Sequence, residues 1–104
     1  MLLDLPSMTK EFVLGITEYT SPLTRLNYVY DLRIFFDFLT KKCFTEKKVK
    51  DISLKDLSML TAMDIELFLS YLSFYEFNDK EFTCSDQGKS RKLSTVRSFF
   101  KYLF

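Results

Sequence analysis

Histidine is absent from this 104-residue chain, and glycine, proline and cysteine occur only twice each. Without histidine, the two cysteines Cys43 and Cys84 make neither a zinc-ligand set nor a disulfide framework. Both are expected to be ordinary reduced thiols, and no metal or other cofactor is expected. So few glycines and prolines, with no segment alternating apolar and polar residues, point to helix nearly throughout and to no sheet. No stretch approaches the roughly 20 apolar residues of a membrane span, and Met1–Leu5 lack a basic segment leading into an apolar run. A soluble, intracellular protein with no membrane partner is expected.

Hydrophobic residues make up 47% and aromatic residues 17% of the chain, including 12 Phe and 6 Tyr. At this length they suit one core and a single domain, residues 1–104. The net charge of +1 hides a segregation. Residues 1–20 carry a net −2, residues 21–50 +4, residues 51–86 −6 and residues 87–104 +5. Two basic segments meeting in space would make one face of a nearly neutral protein positive.

Four helices are expected, near 7–19, 21–42, 61–76 and 87–104, with a short helical turn at 53–58. The first follows Pro6 and puts Phe12, Val13, Ile16 and Tyr19 on one side. In the second, Ser21 is an N-cap with Pro22 at the first helical position, and Tyr28, Leu32, Phe35 and Leu39 form a core stripe. Capping boxes pair Ser53 with Asp56 and Thr61 with Asp64, and Ile65, Phe68, Leu69 and Leu72 follow the i, i+3, i+4, i+7 pattern. The run "FNDKEFTCSDQG" reads as a long loop. The shared core is expected to hold Phe35, Leu39, Phe68, Leu72, Val96 and Phe100. The carboxylates read as caps and solvent-facing groups, with no partner base or metal set for an enzyme site.

The closing stretch "KSRKLSTVRSFFKYLF" has five cations and no acid. At 100° per residue, Leu93, Val96, Phe100 and Leu103 face the core. Arg91, Ser94, Thr95, Ser98 and Tyr102 lie opposite, Lys92 and Arg97 flank the stripe, and Lys101 lies further round. Small hydroxyls beside long cations suit close approach to a nucleic-acid groove. A merely solvated basic face fits the same pattern, and sequence physics alone leaves both open.

Three segments, in order, carry a family resemblance. "SPLTRLNYVYDLRIFFDFL", "LTAMDIELFLSYL" and "RKLSTVRSFFKYL" resemble the helices of the N-terminal core-binding (SAM-like) domain of tyrosine recombinases, the phage-integrase and Xer-type family. The resemblance implies an all-α, four-helix SAM-like bundle with an additional short helical turn. It implies a DNA-binding module that positions a site-specific recombinase on double-stranded DNA through its second and fourth helices. A separate C-terminal catalytic domain, other recombinase protomers as partners, and a bacterial cytoplasmic, nucleoid-associated setting are implied with it.

Carried over by position, Thr24 and Tyr28 are implied phosphate donors on the second helix, and Arg91, Lys92, Thr95 and Arg97 contacts from the fourth. Arg25, Lys89, Ser94, Ser98 and Lys101 complete the candidate DNA-binding set. Each of three residues has a structural alternative: Thr24 supporting the first turn, Tyr28 packing, Arg97 pairing with an acid. The chain departs from the family pattern at Arg25, usually apolar, and at Val29 and Tyr30, often basic. The family's chemistry uses a tyrosine nucleophile with arginines and histidines around the scissile phosphate. This chain has no histidine and four arginines, all placed on the bundle, so it is expected to be an N-terminal fragment without the active site. A helical domain mediating subunit contacts is the alternative function.

Overall fold

The computed structural model describes residues 5–104. Met1–Asp4, on which most of the leader reading falls, lie outside the described residues. Five helices and one short hairpin follow in the order α1 (Ser7–Gly15), α2 (Pro22–Lys42), α3 (Leu54–Ser58), α4 (Ala62–Tyr71), β1 (Tyr75–Phe77), β2 (Lys80–Phe82) and α5 (Asp86–Leu103). Single 3₁₀ turns occupy Thr17–Tyr19 and Val49–Asp51. Among the described residues no helix is long and apolar enough to cross a membrane.

Three helix starts lie where the capping residues Ser21, Ser53 and Thr61 predict them. Ser21 accepts the Thr24 N–H at the head of α2, with Pro22 at its first position. Ser53 and Thr61 each close a reciprocal capping box, with Asp56 and Asp64, and Ser85 accepts the Gly88 N–H ahead of α5. Each cap satisfies backbone donors that the first turn leaves without an intrahelical partner.

Helix ends and the hairpin differ from the sequence reading. α1 stops at Gly15 and tightens into the 3₁₀ turn rather than running to Tyr19. At Gly15 an added Cβ would lie 2.6 Å from the Tyr102 ring, so glycine lets α5 lie close over this helix end. α4 ends at Tyr71 rather than near residue 76. A two-stranded antiparallel sheet, contrary to the expectation of none, takes up the end of the expected helix (Tyr75 and Glu76) and the start of the expected loop. Asn78 and Asp79 adopt φ of 52° and 62°, the left-handed pair that a two-residue type I′ hairpin turn requires and that Asn and Asp tolerate. Tyr75 pairs with Phe82 across the ladder and stacks on it, ring centroids 5.5 Å apart. Lys41 anchors the hairpin to α2, donating to the Glu76 carbonyl at 2.8 Å while pairing with Asp37 at 2.8 Å.

The core is largely aromatic. Phe12, Phe35, Phe36, Phe38, Phe68 and Phe99 are each at most 1% exposed, with Leu32, Leu39, Leu57 and Leu72 between them. Edge-to-face contacts join Phe35 to Phe68 at 5.1 Å, Phe12 to Phe99 at 5.3 Å and Phe36 to Phe99 at 5.9 Å. Of the six expected core residues, Phe35, Leu39, Phe68, Leu72 and Val96 are buried. Phe100 is half-buried and packs on the core's edge, while its neighbour Phe99 is fully enclosed. Cys43 and Cys84 are free and half-buried, and burial raises the pKa of the Cys43 thiol.

One capping box carries a pH dependence. Asp56 is held below the ordinary aspartate value of 3.8, first by the hydrogen bond from Lys47 and then by that from the Ser53 N–H. It binds a proton less readily folded than unfolded, so its contribution is complete above that ordinary value and disappears as pH falls through the lower folded one. Asp56→Asn is expected to flatten the acid limb of a stability profile below about pH 4, checked by urea melts at stepped pH. An unaltered acid limb would show that other carboxylates set it.

Candidate nucleic-acid interface

α2 and α5 pack face to face, and their contact is organised around one buried acid. Asp31, in the middle of α2, is 1% exposed. Its Oδ1 accepts from Arg91 Nη2 at 2.8 Å and lies 3.5 Å from Lys92 Nζ, and its Oδ2 accepts from Thr95 Oγ1 at 2.8 Å. The charged partners make an otherwise costly buried carboxylate tolerable.

This cluster corrects the phase assigned to the last helix. Thr95, placed opposite the core by the sequence reading, is 1% exposed, and Lys92 is 7% exposed. Arg91 stays largely in solvent, its side chain 56% exposed, and reaches down to the carboxylate. Tyr102 does not offer a free hydroxyl: its O–H donates to the Glu11 carbonyl at 3.1 Å and its ring packs on Phe12. Asp31 also overturns the reading that the carboxylates serve only as caps and surface groups.

Beside Asp31 opens a groove of ≈ 280 Å³ lined by Thr24, Asn27, Tyr28, Asp31, Arg91, Ser94 and Thr95. Five of the candidate DNA-binding residues, Thr24, Tyr28, Arg91, Ser94 and Thr95, therefore meet here. Thr24 Oγ1 accepts from Ser21 Oγ at 2.9 Å, which leaves its own hydroxyl proton to donate. The Tyr28 ring stacks on Phe12, 5.9 Å between centroids. Tyr28 also borders a second groove that contains Ser98 and Lys101, so those two continue the same surface.

The remaining candidates lie elsewhere or are engaged. Arg25 donates through Nη1 to the Thr17 carbonyl at 2.9 Å and also to the Thr20 carbonyl, binding the chain that leads into α2. Lys89 donates to Ser73 Oγ at 2.6 Å. Arg97 borders a different, mainly apolar groove between α4 and α5, with Ile65, Leu69, Leu93 and Phe100. Lys92 is drawn inward to Asp31.

Sequence reasoning missed Asn27 and Asp31. Asn27 carried no periodic signal. Asp31 did carry one, since it stands three residues after Tyr28 and four before Phe35, inside the core stripe. The charge count also pointed past the groove: five of the seven cations in 21–50 fall at 41–50, at or beyond the far end of a helix about 31 Å long.

The groove thus lies between two helices of a small bundle and is edged with hydroxyls, an amide, a guanidinium and one carboxylate. Residues 10–104 match the family model described as phage integrase, N-terminal SAM-like domain, and the chain belongs to that family. Two curated relatives agree. Tyrosine recombinase XerC of Caldanaerobacter subterraneus subsp. tengcongensis is 30% identical over 112 residues, covering 98% of this chain and 30% of the relative. Tyrosine recombinase XerS of Streptococcus pyogenes serotype M1 is 35% identical over 85 residues, covering 77% of this chain and 24% of the relative. The chain thus spans less than a third of these relatives' length. No solved structure matches it.

Proposed function

We propose that the chain is the DNA-gripping module of a site-specific tyrosine recombinase and presents the α2–α5 groove to double-stranded DNA. The single observation that carries this reading is the meeting of Thr24, Tyr28, Arg91, Ser94 and Thr95 around one groove, with Ser98 and Lys101 on its continuation. The hydroxyls of Thr24, Tyr28, Ser94 and Ser98 and the Lys101 ammonium serve the phosphate backbone, while Thr95 is committed to Asp31. Arg91 supplies donors, and Asn27 a donor and an acceptor, of the kind that base edges pair with in a major groove. The strand-breaking chemistry belongs to a catalytic domain outside this chain, in a longer bacterial protein working on its own DNA. Lys92, Arg97, Lys89 and Arg25 contribute by shaping the surface and its field rather than by entering the groove.

The test is titration of labelled duplex at several salt concentrations. Replacing Arg91 and Lys101 by alanine is expected to weaken binding at least about tenfold and to flatten the salt slope by about one phosphate contact. A control that neutralises Lys55 and Lys80, in the acidic segment, should alter binding far less. Equal losses in the two variants would show a diffuse attraction and reject the groove.

A second reading rests on a different surface. Met59, Met63, Leu67 and Phe74 are each at least half exposed near α4, more apolar area than a short helix usually gives to solvent. That face suits contact with a neighbouring protomer. Sedimentation that stays monomeric with and without duplex would set this reading aside.

A further inference from the structure

Asp31 sits under the groove as its one acid, an unexpected group beneath a surface meant for a polyanion. It cannot read a base itself: it is 1% exposed, and its two oxygens already accept from Arg91 and Thr95, with Lys92 3.5 Å away. Resting on the groove reading above, we infer that Asp31 is a positioning residue that makes the groove selective. It withholds Arg91 from arbitrary phosphates and holds its guanidinium in one orientation over the groove.

The physical case begins with the arginine. A free surface arginine is a long flexible cation that any phosphate can capture, and each such capture releases counterions without reading sequence. Arg91 has one terminal nitrogen fixed to Asp31 Oδ1 at 2.8 Å, while its side chain as a whole stays 56% exposed and its fork carries further donors. A fork fixed at one end meets a base edge with less ordering left to do, because its orientation is already set. Thr95, on the other oxygen, fixes the carboxylate plane, and Lys92 balances its charge from the buried side.

The decisive variant is Asp31→Asn with Lys92→Met. It removes one negative and one positive charge, so the chain's net charge is unchanged and any change in salt dependence is local. It also keeps side-chain size and leaves neither a buried carboxylate nor a buried ammonium alone. Binding to a random-sequence duplex pool is expected to show a salt slope steeper by about one contact, and sequence enrichment after selection from that pool should fall. An unchanged slope with wild-type enrichment, in a variant that melts cooperatively, overturns the role of Asp31 alone. Wild-type protein that binds no duplex at all overturns the groove reading and this inference together.

Should the double variant fail to fold, the wild-type chain still decides the matter. Nitrogen relaxation of the arginine side chains is expected to show Arg91 ordered before duplex is added, and Arg97 mobile. Equal mobility of the two would overturn the inference.

Discussion

Truncating Phe99 to alanine is expected to cost about 3–5 kcal/mol, the range for removing a buried phenyl ring. Phe99 is 0% exposed and meets Phe12 at 5.3 Å, Phe36 at 5.9 Å and Phe100 at 6.1 Å. Its ring packs on both α1 and α2, through Phe12 and Phe36. Removing it leaves a cavity that three aromatic neighbours on different helices cannot readily fill, since interiors are close-packed and relax only in part. Phe100→Ala should cost less: its ring is half-buried and lines the open groove toward α4. Against a total stability of about 5–15 kcal/mol for a domain, the Phe99 change alone should bring the melting temperature down by more than 10 °C. Parallel urea melts of the two variants check the ranking, and a larger loss at Phe100 would mean that α5 is rotated relative to its described packing.

That ranking marks where the sequence was legible and where it was not. Helix starts were legible because a cap is local: Ser21, Ser53, Thr61 and Ser85 accept N–H groups three residues on, so the signal and its cause lie in the same few residues. The stripe of α2 was legible because Leu32, Phe35 and Leu39 all face one crowded side. α5 was harder, because it is packed on two sides. Phe99 serves the α1–α2 side and Leu93 and Phe100 the α4 side, so a single best apolar stripe averages the two. Thr95 and Lys92 look like solvent residues until Asp31, far away in the chain on α2, supplies their partner. The hairpin hid for a related reason. Its turn uses Asn78 and Asp79 in place of the glycine that usually announces one.

The candidate interface was legible in its membership more than in its mechanism. Thr24, Tyr28, Arg91, Ser94 and Thr95 came from helical phase and family resemblance, and they line one groove. Counting charge, by contrast, weighted the lysines at 41–50, of which Lys41 and Lys47 are paired with Asp37 and Asp56. Segment charge reports what a stretch contains and says nothing of which cations are already satisfied.

Asp31→Ala is expected to cost about 3–5 kcal/mol, the range for breaking a buried ion pair by removing one partner. The loss comes less from the attraction removed than from what stays behind. Lys92, its side chain 9% exposed, is left with a buried ammonium, and the Thr95 hydroxyl loses its acceptor on α2. The uncompensated Lys92 ammonium carries its full desolvation cost, whereas the Thr95 hydroxyl keeps the Arg91 carbonyl at 3.3 Å. Arg91 matters little to this sum, because its side chain is 56% exposed and regains water when the pair breaks. The order of variants therefore separates the contributions: Asp31→Ala should be worst, Asp31→Ala with Lys92→Met should recover much of the loss, and Arg91→Ala should stay within about 1 kcal/mol of wild type. The Arg91 and Lys92 double alanine variant, neutral for stability if both side chains faced away from the core, should instead be clearly destabilised, since it leaves Asp31 with Thr95 alone. Denaturation midpoints for the four variants make the comparison. If Asp31→Ala and Arg91→Ala prove equally mild, the carboxylate is hydrated in solution and the α2–α5 contact is held by its aromatic rings without help from charge.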